Sequence, residues 1–84
     1  MNNYIIDSMA QVGCGVSDTK DIAKIANTLS SKQKDILDGW HNLGKNIPLK
    51  GEYQEIAQEL NSQFSDDDIE CLSAYINASR NINK

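Results

Sequence analysis

The stretch SDDDIECLSAYINASR, residues 65–80, combines a helix start signal with a long apolar face. Ser65 is a favoured N-cap residue, and Asp68 stands three positions later, where a capping box places its second member. The three aspartates of the first turn lie at the positive end of the helix macrodipole. Isoleucine and leucine then recur at helical spacing, which predicts a capped amphipathic helix. Its expected inward residues are Ile69, Leu72, Ser73 and Ile76, with Tyr75 at the edge.

Outside this stretch the apolar residues keep the same helical spacing, and no alternating run rich in Val or Thr predicts a strand. We therefore predict an all-α fold, a compact bundle of about five short helices in a single domain over residues 1–84. The expected helices run from about Asn3 to Val12, from an N-cap at Ser17 or Asp18, from the Ser30–Gln33 capping box to Gly44, from about Glu52 to Gln63, and onward from Ser65.

The predicted core takes one apolar face from each helix. In the first four helices its members are Ile5, Met9, Val12, Ile22, Ile25, Ala26, Leu29, Ile36, Leu37, Trp40, Leu43, Tyr53, Ile56, Ala57 and Leu60. The connection KNIPLKG, residues 45–51, should add Ile47 and Leu49, because Pro48 prevents a helix there. Gly39 costs about 1 kcal/mol relative to alanine inside a helix. We therefore expect another helix to approach closely at that position.

The net charge of −4 argues against binding to nucleic acid or anionic membranes, because both polyanions favour Lys and Arg. The charge is unevenly spread along the chain. Residues 1–50 hold six lysines and five aspartates, whereas residues 51–84 hold seven acidic residues against Arg80 and Lys84. No stretch approaches the run of about 20 apolar residues that spans a bilayer, and no signal peptide is visible. We therefore expect a soluble protein without a membrane partner.

Cys14 and Cys71 are too few for a disulfide framework, so we expect reduced thiols and a cytoplasmic protein. With His41 as the only imidazole, the chain lacks the four nitrogen or sulfur ligands of a zinc site. FSDDDIECLSAYINAS, residues 64–79, resembles the C-terminal helix of class I cytochrome c domains, but the haem-attachment cysteine pair and its adjacent histidine are absent. A glycine-rich phosphate loop is also missing. We expect no cofactor, no metal and no enzymatic activity.

YQEIAQELN, residues 53–61, resembles the first helix of a helix-turn-helix motif in its Ile-Ala-x-x-Leu arrangement. The resemblance implies that the following helix presents Arg, Lys, Gln or Asn to base edges. Here that helix begins with SDDDIE, whose carboxylates phosphates would repel. Nucleic-acid binding is therefore the alternative function only, as a transcriptional regulator that uses the lysine-bearing N-terminal half, including Lys32 and Lys34.

Six acidic residues of the C-terminal half form the candidate binding surface. Three fall at i, i+3 and i+7 on one face of helix 4, and three follow at the start of helix 5, so a helical hairpin would join them. The predicted partner-binding residues are Glu52, Glu55, Glu59, Asp66, Asp67 and Glu70. Such a patch would steer a protein partner with a basic surface. We expect a small acidic protein-binding module of the inhibitor, immunity, anti-defence or adaptor type, with an ordinary solvated face as the competing interpretation.

Overall fold

The computed structural model describes residues 2–82, and these form five α-helices and no strand. The helices are α1 (Asn3–Gln11), α2 (Val16–Ala26), α3 (Ser31–Leu43), α4 (Glu52–Gln63) and α5 (Asp66–Ile82). This confirms the predicted all-α bundle, and α4 has the predicted bounds.

Helix α5 is the centre of the bundle. It packs against α1, α2 and α3, whereas α4 packs mainly on α3 and touches α5 only slightly. The buried residues of α5 are Ile69, Leu72, Ser73, Ala74, Ile76 and Ala78. Two of these are alanines, whose small side chains let neighbouring helices come close. A helix with partners on several sides needs such a broad buried surface, and this one runs for 17 residues.

The local start signals were predicted correctly for α3 and incorrectly for α2. Both hydrogen bonds of the Ser30–Gln33 capping box are present at the start of α3. Helix α2 instead begins two or three residues early, with Gly15 as the N-cap in place of Ser17 or Asp18. The reason is the buried Thr19, whose hydroxyl donates to the Gly15 carbonyl at 2.8 Å while its backbone N–H bonds the same oxygen at 2.9 Å.

Most of the predicted core is buried, but two members are not. Trp40 is 6% exposed, as predicted, whereas Leu43 is 73% exposed and Tyr53 is 38% exposed. Leu43 is the last residue of α3, and the chain turns away at Gly44, which has a φ of 88°. Its side chain therefore extends past the packed part of the helix face. Apolar spacing marked Leu43 as inward but could not show where the facing helix ends.

The connection between α3 and α4 covers the core as predicted. Ile47 and Leu49 are partly buried and pack against the buried cluster. We expected another helix beside Gly39, and this was wrong. A Cβ at that position would lie 3.5 Å from Cδ1 of Ile47. A side chain of the connection, and not another helix, occupies the space beside the glycine.

Candidate functional site

Helix α5 begins as its sequence predicts, with Ser65 as the N-cap and three aspartates in the first turn. The Asp68 backbone N–H donates to the Ser65 hydroxyl at 3.2 Å, and the Ile69 N–H bonds the Ser65 carbonyl at 2.9 Å. Within residues 2–82 the Asp68 carboxylate makes no return bond to Ser65, so only half of the predicted capping box forms. The side chains of Asp66, Asp67 and Asp68 stay exposed in the first turn of α5.

The three predicted acids of α4 are all exposed, but they differ in their partners. Glu52 forms an ion pair with Lys32 of α3 at 2.6 Å, and this hydrogen bond raises the pKa of the lysine above its usual value. Glu55 and Glu59 form no ion pair with any residue in the described part of the chain. The lysine therefore offsets one of the three charges on this face and leaves two available.

Asp66 belongs to a second group of contacts, built around Lys45. The Lys45 ammonium lies 3.5 Å from the Asp66 carboxylate, donates to Asn61 at 2.9 Å and sits 5.1 Å from the centroid of the Trp40 ring. Because the Asp66 side chain is 96% exposed, the ion pair adds little to the stability of the fold. Its consequence is that Asp66 already has a cationic neighbour.

A hollow of about 600 Å³ lies beside Lys45, with Trp40, Ile69, Glu70 and Ser73 in its wall. The indole Nε1 of Trp40 and the hydroxyl of Ser73 are buried and have no hydrogen-bond partner within residues 2–82. Both atoms are also closed off from solvent. Neither atom therefore offers a hydrogen bond to a molecule in the hollow as the structure stands.

A second hollow, of about 420 Å³, lies between the starts of α2 and α5 and is bordered by Asp67 and by Glu70, which lines both hollows. Five carboxylates line it, and we call it the acidic hollow: Asp18 and Asp21 from α2, and Asp67, Asp68 and Glu70 from α5. None of the five forms an ion pair with another residue in the 2–82 range, and no Lys or Arg from that range lines the hollow. The acidic hollow therefore brings together five carboxylates that have no ion-pair partner among the described residues.

The structure therefore divides the six predicted acids between different surroundings. Asp67 and Glu70 line the same hollow as the acids of α2. Glu52, Glu55 and Glu59 lie on α4, and no described residue of that helix lines either hollow. The physical reason is that α5 packs along α2 but barely touches α4. The sequence analysis did not include Asp18 and Asp21 in the patch, although their negative charge was the available signal.

Cys14 and Cys71 also line the acidic hollow, and they are bonded to each other. Their Cα atoms are 6.3 Å apart, within the usual range for a disulfide. The prediction of two reduced thiols was therefore wrong for this structure. The turn after α1 carries Cys14 to the first turns of α5, where Cys71 faces it, and this proximity exists only after the helices pack.

A cluster that the sequence analysis missed joins α3 to the end of α5. Arg80 donates to Asp35 at 2.7 Å and to Asp38 at 3.2 Å, and Asn77 donates to Asp38 at 2.9 Å. The hydrogen bond to Asp35 is the main reason why the pKa of Arg80 is raised. The sequence signal for this cluster was the shared spacing. Two acids lie at i and i+3 on α3, and Asn77 and Arg80 have the same spacing on α5. Because each carboxylate of this cluster accepts a hydrogen bond within it, we assign the cluster a role in packing.

Chemistry of other kinds finds little support in the described residues. His41 is exposed on α3. No group of three or more His, Cys, Asp or Glu side chains among residues 2–82 has the arrangement of a metal site. In the same range no helix combines the length and the apolar character needed to cross a bilayer. The acidic surface is therefore the main functional candidate among the described residues.

Comparison with known proteins adds no family: no protein-family model, curated protein or solved structure matches this chain. Any function is therefore argued from its own residues.

Proposed function

We propose that this chain is a small acidic protein-binding module, of the inhibitor, immunity, anti-defence or adaptor type, that engages a basic surface on a protein partner. The observation that carries the proposal is the acidic hollow, in which five carboxylates from two helices have no cationic partner among residues 2–82. Asp67 and Glu70 belong to the predicted set, and the acids of α2 and Asp68 extend it. The proposal includes no cofactor and no catalysis.

An unpaired acidic cluster lowers the stability of the free protein and would add affinity for a basic partner. Like charges held close together repel, and an 84-residue domain has little stability to spare. Lys or Arg side chains of a partner would relieve that repulsion. The same field would raise the association rate, by roughly 10- to 1000-fold for strongly complementary surfaces at low salt.

The acids of α4 form a weaker candidate surface of the same sign. Glu55 and Glu59 are exposed and unpaired in the described part of the chain, whereas Glu52 is already paired with Lys32. A partner that contacted this face would meet two free charges in place of three. We therefore propose the acidic hollow as the principal contact and the α4 face as its extension.

No observation favours the alternative of a nucleic-acid-binding regulator. Lys32 and Lys45 are ion-paired, which reduces the positive charge of the lysine-bearing half. We expect no gel shift with duplex DNA at low salt. A shift by the unmodified protein that disappears in a Lys32→Glu/Lys34→Glu variant would favour the alternative over our proposal.

The disulfide bears on where the protein works. Disulfides persist mainly in oxidising compartments, so the Cys14–Cys71 bond argues against the cytoplasmic location predicted from the sequence. We propose that the working form is the bonded one. Rapid acid quenching of native cells, followed by alkylation and mass measurement, should find both cysteines blocked to alkylation. Two alkylated cysteines would support the original prediction.

The test of the proposal compares two charge-reversed proteins. A tagged chain first captures its partner from native cells. Association rates are then measured for the hollow variant, Asp21→Lys/Asp67→Lys, and for the α4 variant, Glu55→Lys/Glu59→Lys. Both variants change the net charge equally, so a general charge effect would slow both alike. We expect the hollow variant to associate at least about tenfold more slowly at low salt, with the α4 variant less affected.

Thermal melts of both variants provide the control for folding. All four side chains are exposed and unpaired within residues 2–82, so the α4 variant should melt close to the parent, and the hollow variant at the same temperature or higher, because it loses like-charge repulsion. If the hollow variant keeps its full association rate at low salt, the carboxylates form only a solvated surface and the proposed function fails.

A further inference from the structure

The disulfide and five carboxylates line the same hollow. We propose that the acidic hollow protects the Cys14–Cys71 disulfide from anionic thiols and leaves it open to cationic ones. This inference concerns the chemistry of the bond and does not depend on the proposed protein partner.

Both cysteines of the bond lie in the wall of this hollow. Cys14 is 5% exposed, while Cys71 is only partly buried, and both line the acidic hollow. The acids of α2 and those of α5 border the same space. A reductant that enters through the hollow therefore passes carboxylates contributed by two different helices.

Each chemical step of reduction brings negative charge into this space. A thiolate attacks one sulfur of the disulfide, the S–S bond breaks, and the other cysteine leaves as a thiolate. A second thiolate attacks the mixed disulfide and releases the first cysteine. After protonation of both cysteine thiolates, two external thiols have become one external disulfide, and the protein has gained two electrons and two protons. Carboxylates oppose both the arriving and the departing thiolate.

Helix dipoles act in the opposite direction but are too small to cancel this effect. The N-terminal turns of α2 and α5 border the hollow, and each contributes about +0.5 of an elementary charge. Together they offset about one of the five negative charges. No described Lys or Arg lines the hollow to offset the rest. The net field at the bond therefore favours a thiol that carries its own positive charge.

The consequence is that the bond can outlast exposure to a pool of anionic thiol. Glutathione carries two carboxylates and one ammonium, whereas cysteamine carries only an ammonium beside its thiol. As thiolates they differ by two charges. In a medium of about 10 mM ionic strength, we expect a rate preference for cysteamine of about 10- to 50-fold, which 1 M salt should largely remove.

The experiment measures reduction of the native protein by each thiol, as a rate per unit of thiolate. Each rate is divided by the rate of the same thiol with a small uncharged disulfide, which removes differences in intrinsic reactivity. The neutral hollow variant is Asp21→Asn/Asp67→Asn, and the matched control is Glu55→Gln/Glu59→Gln. Both variants lose two negative charges, but only the first loses them from the acidic hollow.

We expect the rate preference for cysteamine to fall by a factor of about five to ten in the neutral hollow variant. The control variant should keep the preference of the parent. Equal loss in both variants would mean that overall charge sets the rate, and no preference in the parent would mean that the hollow does not filter reductants. A rate that does not depend on thiol concentration would mean that reduction requires prior unfolding. Each of these three outcomes would overturn the inference.

Discussion

Removing the Cys14–Cys71 bond should cost a large share of the stability of this protein. The two cysteines are 57 residues apart, so the bond closes a loop that contains all of α2, α3 and α4. Closing a loop of this length in the unfolded chain removes conformational entropy worth about 4 kcal/mol at 25 °C. A domain of this size has a total unfolding free energy of roughly 4–13 kcal/mol. Reduction should therefore lower the melting temperature by about 15–30 °C.

The assay follows guanidinium unfolding of the parent protein with and without a phosphine reductant. Trp40 is the only tryptophan, and its burial makes its fluorescence a direct probe of the packed core. The reduced protein should unfold at a lower denaturant concentration. Its unfolding free energy should also fall more steeply with denaturant, because an unfolded chain without the bond exposes more surface. A Cys14→Ala/Cys71→Ala variant should have the same unfolding midpoint as the reduced parent, and the reductant should not change it.

Two results would contradict this reasoning. A loss of less than about 1 kcal/mol on complete reduction would mean that the unfolded chain is already compact or that the loop-closure entropy is not realised. A reductant effect that persists in the double alanine variant would mean that the change does not act through the disulfide.

Three further predictions concern stability alone. Truncation of Trp40 to Ala should cost about 3–5 kcal/mol in equilibrium unfolding, since the side chain is buried, and a nearly unchanged melt would contradict its place in the core. Replacing Ser65 by Ala should cost about 0.5–2 kcal/mol, because the Asp68 N–H loses its acceptor, and a Ser65→Asp variant should retain most of the stability in the same melt. Replacing Arg80 by Met should cost about 1 kcal/mol or less, because the bonds to Asp35 and Asp38 are partly exposed, and the cost should shrink in high salt; a salt-independent loss of several kcal/mol would refute this.

Local patterns were sufficient to predict the helices. The bounds of α4, the capping box of α3 and the N-cap of α5 follow from side chains within a few residues of each helix end. These interactions form wherever the helix lies, so no tertiary information is needed. The start of α2 was missed because Thr19 bonds the Gly15 carbonyl, a contact that competes with the caps predicted at Ser17 or Asp18.

Contacts between helices were not predictable in the same way. Apolar spacing shows which face of a helix turns inward, but it does not show which helix meets that face or where the contact ends. Leu43 was therefore placed in the core although it is exposed. The six predicted acids were joined across α4 and α5, although two of the α5 acids lie beside those of α2.

The disulfide illustrates this limit most clearly. Two cysteines 57 residues apart in the sequence carry no local signal of pairing. Only the packing of α1 and α2 on α5 brings Cys14 within bonding distance of Cys71 and surrounds both with carboxylates. The residue pattern alone therefore determined the number and type of the helices and the N-caps of α3 and α5. The bond, the acidic hollow and the chemistry proposed for them depend on the order in which the helices pack, because that order sets which distant side chains become neighbours.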